Sequence, residues 1–170
     1  MASAERPMKP LETARSAPDV ALPDADGAIH RLVDYRGQYL FVNFWAIWCA
    51  PCRKEMPSMQ QAYERLGGHG MEMIAIHVGP SAEAADRFAR QLGLTFGILV
   101  DENMALSSWQ VLGLPTTFLL DPEGNIVAEA VGERDWSNPV LMDQLRNLIG
   151  GTGAGLKDVE MARQPALPAG

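Results

Sequence analysis

The chain has two cysteines in 170 residues, three histidines, no excess of positive charge and no long apolar run. Each shortage excludes something. A ring closed between Cys49 and Cys52 would remove little unfolded-chain entropy, so the cysteines are not a stabilising framework. His30, His69 and His77 are scattered without finger spacing, which leaves a structural zinc site short of ligands. A net charge of −7 and a pI near 4.9 argue against a nucleic-acid surface, which needs a clustered basic face, and basic pairs such as Arg53-Lys54 are too sparse to supply one. The longest apolar stretch, Tyr39 to Cys52, is interrupted by Asn43 and falls short of the roughly 20 residues that cross a bilayer. Residues 1–18 lack the apolar core of a signal peptide, and no internal repeat is present.

Hydrophobic residues make up 47% and charged residues 21%, ordinary for a globular domain. The length suits one domain with a proper core and is short for two. Residues 1–17, rich in Pro, Ala, Glu and Arg without periodicity, read as a flexible leader, and residues 151–170 as a flexible tail. That leaves a single domain over 18–150.

Within it, a turn at Asp24–Gly27 leads into a short hairpin arm at Ile29–Val33. The near-continuous apolar run Tyr39–Trp45 predicts a central buried strand. Met56, Met59, Tyr63 and Leu66 recur on one face of a helix that stops at Gly67-Gly68. Met71–Val78 predicts a second buried strand. Ser81 predicts a side-chain cap for a helix through Leu92, with Ala85, Phe88, Ala89 and Leu92 inward and Gly93 as its stop. A strand over Phe96–Val100 and a short helix over Asn103–Trp109 follow. Strands Thr116–Leu120 and Ile126–Val131 flank the turn Asp121–Asn125 as an antiparallel hairpin, and a helix from about Ser137 to Ile149 closes the chain. The order predicts an α/β fold, a mixed central sheet with helices on both faces, of thioredoxin type.

Chemistry concentrates at Trp48-Cys49-Ala50-Pro51-Cys52, where a strand ends and a helix begins. A helix N-terminus offers unsatisfied N–H groups and a positive dipole end, which favour a thiolate on Cys49. Cys52 is held within one turn, close enough to form or resolve a disulfide. Pro51 has no N–H to lose in the first turn and stiffens it. Only a thiolate attacks, through a mixed disulfide, so Cys49 is the expected nucleophile and Cys52 the resolving thiol. Thiols in such motifs span pKa values from about 3.5 to 7.5. A bare Cys-x-x-Cys is also the pattern of two reduced thiols or half of a metal site.

Three neighbours bear on that choice. Trp45 suits core packing, whereas Trp48, beside the thiol, suits a docking surface. Gly113-Leu114-Pro115-Thr116-Thr117 is either an ordinary turn or a cis Leu114–Pro115 segment lying against the cysteines, with the Leu114 backbone free to pair with a substrate strand. Glu55 is either a solvated first-turn acid or a partly buried carboxylate that moves the proton of Cys52. Arg53 and Lys54 read as solvated, Met56 and Met59 as core.

With these residues in place, the chain resembles the thioredoxin superfamily, in the TlpA/ResA-like (CcmG/DsbE-like) branch of bacterial thiol–disulfide oxidoreductases. The resemblance runs from about Ala17 to Ile149. It rests on the stretches Ala17–Gly27, Asn43–Pro57 and Gly113–Gly124. It implies that Cys49 attacks, Cys52 resolves and Pro115 is cis. Trp48, Pro51, Leu114 and Pro115 are the expected substrate-binding residues. It also implies a strand and helix insertion around Pro80–Val100. Thioredoxins in general carry a buried Asp where this chain has Asn43, which cannot titrate, so the proton-transfer role passes to Glu55.

The branch further implies a reductant for partner protein disulfides, as in cytochrome c maturation. No cofactor is expected beyond the Cys49–Cys52 disulfide. A membrane or soluble oxidoreductase would supply electrons, and the chain is expected to be a monomer. The expected location is the periplasm or the periplasmic side of a membrane, with a tether in the full-length protein; the missing export segment keeps a cytoplasmic location as the alternative. A Cu(I) metallochaperone on the same fold competes, because two thiolates can hold Cu(I). Peroxidase activity would need a Pro-x-x-x-Thr-x-x-Cys loop that the sequence lacks.

Overall fold

The computed structural model describes residues 5–151. Its strands are β1 (Lys9–Ser16), β2 (Ala21–Pro23), β3 (Ile29–Arg31), β4 (Tyr39–Trp45), β5 (Met71–Val78), β6 (Gly97–Asp101), β7 (Thr116–Leu120) and β8 (Asn125–Val131). Helices α1 (Ala50–Leu66), α2 (Ala82–Leu92) and α3 (Pro139–Gly151) separate or follow them, with short 3-10 turns at Leu32–Tyr35 and Ala105–Trp109. Six strands form one mixed sheet in the order β1-β8-β7-β4-β5-β6, and β2 pairs with β3 as the arm.

β4 is central: parallel to β5, antiparallel to β7, and buried at every position. Its alternation sends Phe41, Asn43 and Trp45 to one face and Leu40, Val42 and Phe44 to the other. All six are buried, as expected of a strand covered on both faces. In α1 the buried residues Met56, Met59, Ala62 and Leu66 follow helical spacing. The helix stops at Gly67, where the backbone turns extended at ψ 138°, and glycine is required because a β-carbon there would sit 2.6 Å from the Tyr63 carbonyl oxygen. α2 ends at Gly93, whose φ of 67° lets its N–H turn back to the carbonyls of Ala89 and Arg90.

Three expectations are corrected. The stretch read as a flexible leader holds β1, which pairs with β8 from Lys9↔Glu129 to Ser16↔Asn125. It shows no apolar alternation because seven of its eight residues are exposed; an edge strand is held by its backbone. Just before it, Met8 is buried, and Gln144 of α3 brackets it, accepting its N–H at 2.7 Å and donating to its carbonyl at 2.7 Å. Ser81 does not cap α2 with its side chain: it sits at φ 81°, outside the extended geometry that aims a hydroxyl at the first amides. Leu92, read as inward, is exposed at the last position of α2. Of the tail read over 151–170, residues 152–170 lie outside the described residues.

Candidate active site

The chain leaves β4 through a tight turn over Ala46–Cys49, closed by the Cys49 N–H donating to the Ala46 carbonyl at 3.0 Å. Cys49 is the N-cap of α1 and Pro51 lies in its first turn. Cys49 and Cys52 are disulfide-bonded, with Cα atoms 5.3 Å apart. The Cys52 N–H donates to Cys49 Sγ at 3.3 Å, so the helix N-terminus addresses that sulfur directly. The two cysteines differ in access. Cys49 keeps 9% of its surface and Cys52 keeps none.

Trp48, at 63% exposure, stands beside the more accessible sulfur, while Trp45 is fully buried. The Leu114–Pro115 peptide is cis. Leu114, Trp48, Cys49 and Pro51 line a groove of about 490 Å³, whose walls also include Met104 and the fully exposed Leu112. The structure thus brings together the residues read separately as docking surface and as turn. A larger hollow of about 740 Å³ lies away from the sulfurs, between β2 and α2, lined by Asp24, Glu83, Asp86 and Arg87 among others.

Glu55 is not a solvated acid. It follows Cys52 by three residues, one turn on along α1, and is 2% exposed. One carboxylate oxygen accepts from Asn43 Nδ2 at 2.7 Å; the other accepts from the Arg134 backbone N–H at 3.0 Å and from Trp136 Nε1 at 3.2 Å. Burial pushes the carboxyl up from 4.5 to about 7, against the pull of those three donors. A group so placed is half-ionised near neutrality, the range in which a proton carrier works best. Asn43 also donates to Thr117 Oγ1 at 3.0 Å, across the Asn43↔Thr117 pair of β4 and β7.

Sequence reasoning missed Thr117, Arg134 and Trp136, whose contacts span 74 to 81 residues and leave no local pattern. It also missed His77, which is distant in sequence but pairs in register with Trp45. Arg53, read as solvated, is half-buried and donates from Nη1 to the Ile47 carbonyl. Among the described residues, no three His, Cys, Asp or Glu side chains gather as a metal site. Nor is any described helix long and apolar enough to cross a membrane.

The sequence profile of the AhpC/TSA family matches residues 13–129. The thiol-disulfide oxidoreductase ResA of Geobacillus thermodenitrificans is 44% identical over 112 residues, 65% of this chain and 64% of that protein. The chain therefore spans slightly less than two thirds of that relative. ResA of Bacillus thuringiensis subsp. konkukian is 34% identical over 125 residues, 73% of this chain and 72% of that protein. Among solved structures, a Chlorobium tepidum protein assigned as a thiol:disulfide interchange protein DsbE superposes with a TM-score of 0.75 at 30% identity. It covers 82% of this chain and 99% of that one.

Proposed function

The chain belongs to the AhpC/TSA family, in its ResA-like branch, and from that premise we propose that it is a thiol–disulfide oxidoreductase that reduces disulfides in partner proteins. The observation that carries this reading is the pairing of a cysteine that keeps a little exposure, its sulfur held by a helix N-terminus, with a fully buried second cysteine one turn behind it. In the dithiol form, the Cys49 thiolate attacks one sulfur of the partner disulfide and releases the partner's other sulfur as a thiolate. Cys52 then gives up its proton, for which Glu55 is the nearby buried carboxylate, and attacks Cys49 Sγ. The mixed disulfide breaks, Cys49–Cys52 forms, and the partner leaves with both thiols. Two electrons have passed from this chain to the partner. The groove lined by Trp48, Pro51 and Leu114 receives the extended segment that carries the partner cysteine, with the buried cis Pro115 just behind Leu114.

A dithiol oxidoreductase, in a membrane or soluble, must restore the reduced form. By likeness to its branch, the chain works as a monomer on the periplasmic side of a membrane, tethered in its full-length form, on substrates of the cytochrome c maturation type. A disulfide within a Cys-x-x-Cys-His peptide is the substrate that tests this. The dithiol form should reduce it, Cys49→Ser should abolish turnover, and Cys52→Ser should accumulate the mixed disulfide. Full activity in Cys49→Ser would refute the assignment. Redox titration against glutathione settles direction. A reductant should fall toward the thioredoxin end of the span from about −270 to −120 mV, and a value at the other end would make the chain an oxidant.

A further inference from the structure

The turn that carries Trp48 and Cys49 is held by a residue outside the motif. We infer that His77 is a positioning residue for the redox turn: by accepting the Ile47 N–H it fixes the Ala46–Cys49 backbone, and so keeps Cys49 Sγ on the N-terminus of α1. The inference rests on Cys49 being the attacking sulfur.

The Ile47 peptide is gripped at both ends. Its N–H donates to His77 Nε2 at 3.0 Å, and its carbonyl accepts from Arg53 Nη1. Ile47 and Trp48 are the two central residues of a turn closed between Ala46 and Cys49, so this grip fixes the direction in which the chain enters the helix. β5 delivers the imidazole, since His77 lies opposite Trp45 in the parallel pair and its ring meets the Trp45 ring edge-on at 5.1 Å.

The contact also fixes the chemistry of the ring. A backbone amide can only donate, so Nε2 must carry a lone pair and the proton sits on Nδ1. Nδ1 is buried and has no hydrogen-bond partner among the described residues. Burying a polar group without a partner costs free energy. A methyl-bearing side chain would avoid that cost, so whatever His77 contributes by hydrogen bonding comes from Nε2. Burial lowers the His77 pKa, which maintains the neutral ring that the Ile47 amide requires.

With the acceptor gone, the half-buried Ile47 N–H is left without a partner and the turn relaxes to find water. The Cys52 N–H then holds Cys49 Sγ less well, and the thiolate is less favoured. The decisive variants are His77→Leu and His77→Asn, neither of which reaches the Nε2 position, and His77→Gln, whose amide oxygen does. In the fully reduced protein, the rate of Cys49 alkylation on the acid limb of its pH profile, followed by mass spectrometry, should fall by up to about fivefold in the first two, the factor one ordinary hydrogen bond is worth. At 29.6 mV per tenfold, the same factor makes the reduction potential about 20 mV more negative. His77→Gln should restore both readouts.

If His77→Leu fails to fold, His77→Asn decides alone. Wild-type rates and potential in a folded His77→Asn would overturn the inference, and so would a His77→Gln as slow as His77→Asn. If wild-type Cys49 alkylates no faster than a free thiol, the reading of Cys49 fails and this inference falls with it.

Discussion

Glu55 carries two opposed demands: a site that excludes water, and three N–H donors that favour its charge. Desolvation wins, and the carboxyl rises to about 7. A raised pKa binds extra protons in the native state, so the stability it contributes is complete below pH 4.5 and is lost as pH rises through 7. Between pH 4 and pH 8 the wild type should therefore lose roughly 3 kcal/mol more than Glu55→Gln, measured by urea denaturation at each pH. Parallel curves for the two proteins would show that Glu55 keeps an ordinary carboxylate pKa. In turnover, Glu55→Gln should remove a step near pH 7 from the release of partner from the mixed disulfide. Cys49, Cys52 and Glu55 could be picked from sequence because they share one short segment. The partners of Glu55 could not, because the register of β4 on β7 and the path of the chain after β8 bring them in.

At the scale of the element, α1 converts a strand end into a helix N-terminus and anchors it through Met56, Met59, Ala62 and Leu66. Met59→Ala should cost about 2–5 kcal/mol by urea denaturation, because it opens a cavity in a fully buried layer. A smaller loss would mean that the layer collapses onto the gap. The helices and the buried strands were legible, since packing against a sheet imposes a period on the sequence. β1 was not, since seven of its eight residues are exposed and its pairing with β8 is a backbone ladder. Its anchor is testable: Gln144→Ala removes both bonds to the Met8 backbone and should cost about 1–3 kcal/mol by the same measurement.

For the whole molecule, the N-terminal segment serves both edges of the sheet. β1 covers β8, and β2 lies against β6, where Asp24 forms a bridge to Leu99. β1 itself presents Lys9, Pro10 and Arg15 along the outer edge, residues that discourage further pairing. Deleting residues 1–16 should therefore expose the ladder of β8 and cause association, read by light scattering during size-exclusion chromatography. A deletion variant that associates no more than the intact chain would show that β1 does not guard that edge.

The sequence alone determined the reactive centre, because two sulfurs three residues apart at a strand–helix junction are tied by covalent distance and need no distant partner. It also determined the buried sheet, whose apolar runs have no other stable placement. Tertiary structure decided how that centre is tuned. Glu55 is dry because Arg134 and Trp136 close over it from 79 and 81 residues away, and Ile47 is held because β5 sets His77 beside it from 30 residues away. Such contacts depend on register and burial, which a chain acquires only when it folds.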